Sequence, residues 1–97
     1  MKAWELLDGP EKWTQGEGAR DENGVPVYYN AKNAVCWCLM GALAKCYGSL
    51  TPDWYAAVDK VNDALTQKHK NILVIKWNDD PNRTWQEVHD LLKELDI

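Results

Sequence analysis

The clearest hydrophobic pattern lies in the second half of the chain. Trp54, Val58, Val61 and Leu65 recur at helical spacing with Ala57 and Ala64 beside them, which predicts an amphipathic helix. Thr51 is its expected N-cap and Pro52 its first helical residue. Lys68, His69 and Lys70 fall in the last turn, where positive charge complements the helix dipole. A second stripe, Trp85, Val88, Leu92 and Leu95 with Leu91 alongside, follows Thr84-Trp85-Gln86-Glu87, a capping-box sequence that marks the start of a final helix. Between them, Ile72-Leu73-Val74-Ile75 is a short run rich in β-branched residues and predicts a strand.

The first half reads differently. Residues 2–8 predict a short helix with Trp4 and Leu7 inward, stopped by Gly9-Pro10. From Glu11 to about Asn33 the chain is polar and punctuated by Gly16, Gly18 and Gly24. Glu22-Asn23-Gly24 predicts a tight turn with positive φ at Asn and Gly, and Val25, Val27, Tyr28 and Tyr29 follow with strand propensity. A small β-hairpin or an extended loop is expected there. Asn33 is then the expected N-cap of a helix over Ala34–Tyr47, ended by Gly48 and apolar on every side except at Lys45. Such a helix belongs at the centre of the molecule. The sum is one α+β domain over residues 1–97, mostly helical, with about four helices and a β element of two or three strands.

Composition sharpens that picture. A chain of 97 residues is long enough for one domain and too short for two. Six Trp and no Phe supply its large side chains, and each buried indole N–H needs an acceptor, so the tryptophan-rich core should contain specific hydrogen bonds. A net charge of −4 argues against nucleic-acid binding, which needs a basic footprint. The sequence has no apolar run of membrane-spanning length and no apolar segment of signal-peptide form near Met1, which together predict a cytoplasmic protein. Three cysteines agree with a reducing compartment. On one helix Cys36 and Cys38 would lie about 200° apart, and Cys38 and Cys46 about 12 Å apart along the axis, so no disulfide is expected.

Candidate chemistry is sparse. Cys36-Trp37 at a helix start would have a lowered thiol pKa, with Gln15 as oxyanion donor and His69 or His89 with Asn78 completing a cysteine hydrolase or transferase. A packed core thiol is the simpler account, and no catalytic residue is assigned. Cys-x-Cys-x7-Cys on one helix cannot aim three sulfurs at one ion, so neither metal nor cofactor is expected. The more informative constellation is Arg20-Asp21 with Asn78-Asp79-Asp80, because an arginine fork suits a carboxylate at Asp79 or Asp80. It admits two roles. Either Arg20 ties the glycine-rich loop to the turn before the last helix, or Gln15, Arg20 and Asp79 line a polar pocket walled by Trp13, Trp37 and Trp77.

Trp13-Thr14-Gln15-Gly16, Ala19-Arg20-Asp21, Gly24, Trp37-Cys38-Leu39, Gly41-Ala42-Leu43 and Trp77-Asn78-Asp79 together resemble domain-of-unknown-function family 6197. The resemblance spans nearly the whole chain and implies a small bacterial or bacteriophage protein, without an assigned activity. The Lys-Asn-Ile-Leu-Val-Ile stretch at 70–75 departs from it. The expectation is therefore a binding protein rather than an enzyme, with a protein partner, and an inhibitor of a host or defence protein as one concrete form. Its expected surface is the polar edge of Glu17, Arg20, Asp21, Tyr28, Tyr29 and Asp80, since tyrosine and arginine concentrate at the energetic centres of interfaces. The alternative is a small-molecule binder that uses Trp13, Gln15, Arg20, Asn78 and Asp79.

Overall fold

The computed structural model describes residues 1–69 and 73–97. Among these, five α-helices and a two-stranded antiparallel sheet make an α+β fold. Helix α1 (Ala3–Leu6) leads into a single 3₁₀ turn at Pro10–Lys12. The strands β1 (Ala19–Arg20) and β2 (Cys36–Trp37) follow, then α2 (Leu39–Tyr47), α3 (Pro52–His69), α4 (Val74–Asp79) and α5 (Trp85–Leu95).

Helix α2 is central, packing against α1, α3 and α4. Its Leu39, Gly41, Ala42, Leu43 and Ala44 are buried, which explains why this segment carries almost no polar residues. It is shorter than the Ala34–Tyr47 helix expected from sequence. Cys36–Trp37 is a strand, and Cys38, rather than Asn33, is the N-cap, its Sγ accepting from the Gly41 amide at 3.3 Å. The reason is tertiary pairing. Ala19 pairs with Trp37 and Arg20 with Cys36, while the Cys38 N–H donates to the Gly18 carbonyl at 3.1 Å. Trp37 also bridges to Trp13 on its other side. The far end of α2 behaves as expected, with Gly48 at φ +81° as its C-cap.

The Asp21–Val25 reversal forms where expected, with Gly24 N–H donating to Asp21 O at 3.0 Å and Asp21 N–H to Val25 O at 2.9 Å. Only Gly24 takes positive φ, at +80°, so the turn is not the doubly left-handed type that Asn-Gly predicts. Asp21 Oδ1 explains the difference, accepting from the amides of Asn23 and Val25 at 2.9 Å each. Beyond the turn, residues 25–29 contribute one isolated bridge, Pro26 to Arg20, and otherwise run as an extended loop.

Helices α3 and α5 keep their expected stripes: Ala57, Val61 and Leu65 are buried on one, Val88, Leu91 and Leu92 on the other. Thr51 Oγ1 accepts from Trp54 N–H at 3.2 Å, and Thr84 and Glu87 form the capping box. The expected strand at 72–75 is not one: Val74 and Ile75 open α4, a helix that buries Val74, Trp77 and Asn78. These positions have helical spacing, and packing on α2 outweighs the β propensity of Val and Ile. Ile72 and Lys70 lie outside the described residues, as do the side chains of Lys68 and His69. The core includes Ala3, Leu7, Leu39, Leu43, Leu65, Trp77 and Val88. Three of the six indoles have specific acceptors: Trp13 on Asn78 Oδ1, Trp37 on Tyr29 O and Trp85 on Leu7 O, at 2.7–2.8 Å. Among the described residues the buried indole nitrogens of Trp54 and Trp77 have none, so the expectation from composition holds only in part.

Candidate functional site

The polar block at 13–16 closes onto the end of α4. Trp13 Nε1 and the Leu39 amide both donate to Asn78 Oδ1, at 2.8 and 3.1 Å. Asn78 Nδ2 donates to Thr14 O at 3.3 Å and to Asp79 Oδ1 at 2.9 Å. Gln15 Nε2 uses both hydrogens on main-chain carbonyls, those of Asn78 and Asp80, at 2.8 Å each. The Gly16 amide donates to Asp79 Oδ1 at 3.0 Å. Asn78 is 1% exposed, so this clasp satisfies groups that burial would otherwise leave unpaired, at a penalty of about 1–3 kcal/mol each.

Arg20 is part of the same scaffold. Its Nε donates to Thr14 Oγ1, one terminal nitrogen to Gly24 O and the other to Gln15 O, at 3.0–3.1 Å. The guanidinium thus joins the Trp13–Gly16 loop to the Asp21–Val25 turn, and its expected pairing with Asp79 or Asp80 does not occur. Asp79 instead receives an amide proton from the loop, so the tie between loop and α4 runs through Gln15, Gly16 and Asn78.

This scaffold forms one end of an open groove of about 820 Å³. Gly16, Glu17 and Gly18 from the loop, Cys38 and Gly41 from the start of α2, and Asn78 and Asp79 from α4 line its polar end. Pro26, Val27, Tyr28 and Tyr29 from the extended loop, Met40 and Ala44 from α2, Trp54 from α3 and Ile75 from α4 provide apolar walls. The walls differ from those the sequence led us to expect. Trp13, Trp37 and Trp77 do not line the groove, and neither do Gln15, Arg20 or Asp21. Trp13, Gln15 and Arg20 hold the loop from behind, and Asp21 builds the turn. Tyr28, Tyr29, Asn78 and Asp79 do reach the groove.

Sequence reading missed Met40, Ala44, Trp54 and Ile75 as groove residues. Ile75 carried one signal, since it stands three residues before Asn78 and so shares a face of α4 with it. A second signal lies in Gly41, where a Cβ would collide with the Gly18 carbonyl. Only glycine lets the loop come this close to α2, and this approach sets the floor of the polar end.

Among the described residues the thiols carry no catalytic geometry. Cys36 lies in β2, so the helix-start argument for a lowered pKa does not apply to it, and its Sγ–H points to Arg20 O at 3.9 Å. Cys38 does stand at a helix start, but burial pushes its thiol pKa up. Gln15 has no N–H left for an oxyanion, and the His89 ring packs against those of Trp4 and Trp85. Among the described residues no three His, Cys, Asp or Glu side chains converge as a metal site, and no helix is long and apolar enough to cross a membrane.

Comparison with curated proteins and with solved structures gives no match. A family model, by contrast, matches residues 1–95, and so takes in both halves of the clasp and every element that lines the groove. The chain therefore belongs to the Family of unknown function (DUF6197).

Proposed function

We propose that this is a small cytoplasmic binding protein of bacterial or phage accessory type that acts by docking a partner protein through the groove, with inhibition of a host or defence protein as the concrete form. The observation that carries this reading is the groove's exposed apolar rim. Tyr28, on the extended loop, is 82% exposed, and Ile75, on α4, is 61% exposed. Neither is needed by the core, and exposed apolar surface around a concave site marks interaction surfaces. Arg20, Gln15 and Trp13 are engaged in holding the loop, which favours the groove over the expected polar edge as the interaction surface.

Capture of the tagged protein from bacterial lysate tests this. A stoichiometric partner retained by the parent chain and by Tyr55→Ala, but lost with Tyr28→Ala combined with Ile75→Asp, is the expected result. A partner retained equally by the double variant contradicts it.

A small-molecule ligand is the second reading. It is favoured by the groove's volume, which falls within the roughly 300–1,000 Å³ of small-ligand sites. Mass spectrometry of molecules released from the purified protein distinguishes it, since a bound metabolite without a protein partner would select it.

A further inference from the structure

We propose that the groove's occupant is an extended or helical segment of a partner protein bearing a lysine or arginine flanked by apolar residues. Its cation sits between Asp79 and Glu17, and its apolar side chains lie along Met40, Ala44, Trp54 and Ile75. This rests on the binding reading above and specifies the chemistry of what binds.

Charge is the first support. Glu17 and Asp79 line the groove, and among the described residues no Lys, Arg or His does. The nearest cation within the loop is Arg20, which lies behind Gly16 and is bonded to Thr14, Gln15 and Gly24. A groove with carboxylates at one end and no cation among its described lining residues favours a positive ligand group there and disfavours a negative one.

The state of Asp79 is the second support. Its Oδ1 is held by the Gly16 amide and Asn78 Nδ2, while among the described residues nothing donates to its Oδ2. The carboxylate is therefore fixed in direction by one oxygen and open through the other, so little side-chain freedom is lost when a cation arrives. Glu17 is exposed and has no ion pair among the described residues, so it can close on the same cation from the loop side. The aromatic walls add to this, because the faces of Tyr28, Tyr29 and Trp54 attract ammonium and guanidinium groups.

The rim selects a segment over a free amine. A small cation at Asp79 would leave Tyr28 and Ile75 in water, whereas a polypeptide crossing the groove covers both. Removing apolar side chains of that size from water is favourable, and a free amine forgoes that gain.

The test is selection of random dodecapeptides on the immobilised full chain, followed by binding titrations of the enriched peptides. The charge variants are Asp79→Asn and Glu17→Gln. Asp79→Asn keeps Oδ1 as the acceptor for Gly16 and Asn78 and removes only the charge, and its urea midpoint should match the parent's. Asp59→Asn, on exposed α3 surface, is the control. We expect enriched peptides to place Lys or Arg among aromatic or aliphatic residues. Their affinity should fall about tenfold or more with the two charge variants combined, as for loss of a charge-assisted hydrogen bond, and should stay unchanged with Asp59→Asn. Enriched peptides that are neutral or acidic, or that ignore Asp79→Asn and Glu17→Gln, overturn the cationic occupant. If such peptides still need Tyr28 and Ile75, docking through the groove survives that result. A selection that enriches nothing over the Tyr28→Ala, Ile75→Asp double variant overturns both readings. Saturable binding of phenethylamine without any peptide enrichment overturns the segment in favour of a small amine.

Discussion

Asn78 answers four separate groups with one amide: the Trp13 indole, the first amide of α2, the Thr14 carbonyl and the Asp79 carboxylate. Truncation to alanine leaves a buried amide and a part-buried indole N–H without an acceptor. Asn78→Ala should therefore lower unfolding free energy by roughly 2–4 kcal/mol in urea titration; a loss below about 1 kcal/mol would mean that the clasp contributes little. Gly41 offers a test by sign. A glycine inside a helix normally gains up to about 1 kcal/mol on change to alanine. Here the added methyl group meets the Gly18 carbonyl, a backbone atom that cannot swing aside. Gly41→Ala should instead destabilise by about 1–3 kcal/mol, as overpacking does, and should also reduce binding, because relief of the collision moves the loop that carries Glu17. A stabilised variant would contradict the close approach.

At the scale of elements, α5 shows how local rules suffice. Its capping box satisfies one backbone N–H at each side, and Thr84→Ala should cost about 1 kcal/mol, read from the same urea titration. The Thr84 amide, with Thr84 Oγ1 and Arg83 beside it, holds the Glu87 carboxyl below its ordinary value of 4.5. Lys2 does the same for Asp96. A depressed folded-state pKa contributes stability above the unfolded value and loses it as pH falls through the folded one. The alkaline side has the opposite sign: burial raises the thiol pKa values of Cys38 and Cys46 above 9.0, so their contribution is present below that pH and is lost as pH rises. The unfolding midpoint should be flat near neutral pH, falling below about 4.5 and above about 9. A midpoint that rises above pH 9 would contradict the buried thiols. Helices α3 and α5 and the place of the turn at Gly24 were legible because their signals are local, stripes, caps and an Asn-Gly pair, while the turn's type was not, since it is set by the Asp21 carboxylate. The start of α2 was not. Ala34 to Leu43 is apolar throughout, and neither period nor propensity separates a strand buried between Trp13 and Ala19 from the helix that follows it. Helix α4 was hidden for the converse reason, since Val74 and Ile75 favour a strand locally and only their neighbours in the fold make them helical.

For the whole molecule, a Cα radius of gyration of 12.3 Å agrees with the roughly 12.5 Å of one compact domain of this length. Helix α2 occupies its centre, and the groove opens where the loops on either side of β1, the start of α2 and α4 come together. The family blocks Trp13-Thr14-Gln15-Gly16 and Trp77-Asn78-Asp79 meet here, more than 60 residues apart in sequence. Sequence singled out both blocks as polar groups beside tryptophans, and their meeting at Asn78 gives that pattern a structural cause. It could not show that Arg20 faces inward, because a guanidinium near carboxylates and carbonyls has several partners to choose from and only the loop path selects among them. Docking through the groove is the central claim, and photocrosslinking measures it most directly. A benzophenone-bearing phenylalanine derivative replaces Tyr28 in one protein and Tyr55 in another; Tyr55 is 51% exposed on α3 and lies outside the groove. Irradiation in bacterial cells should give a single protein adduct from position 28 and none from position 55. Equal adducts from both positions, or none from position 28 while the protein is folded, would contradict the groove as the binding surface.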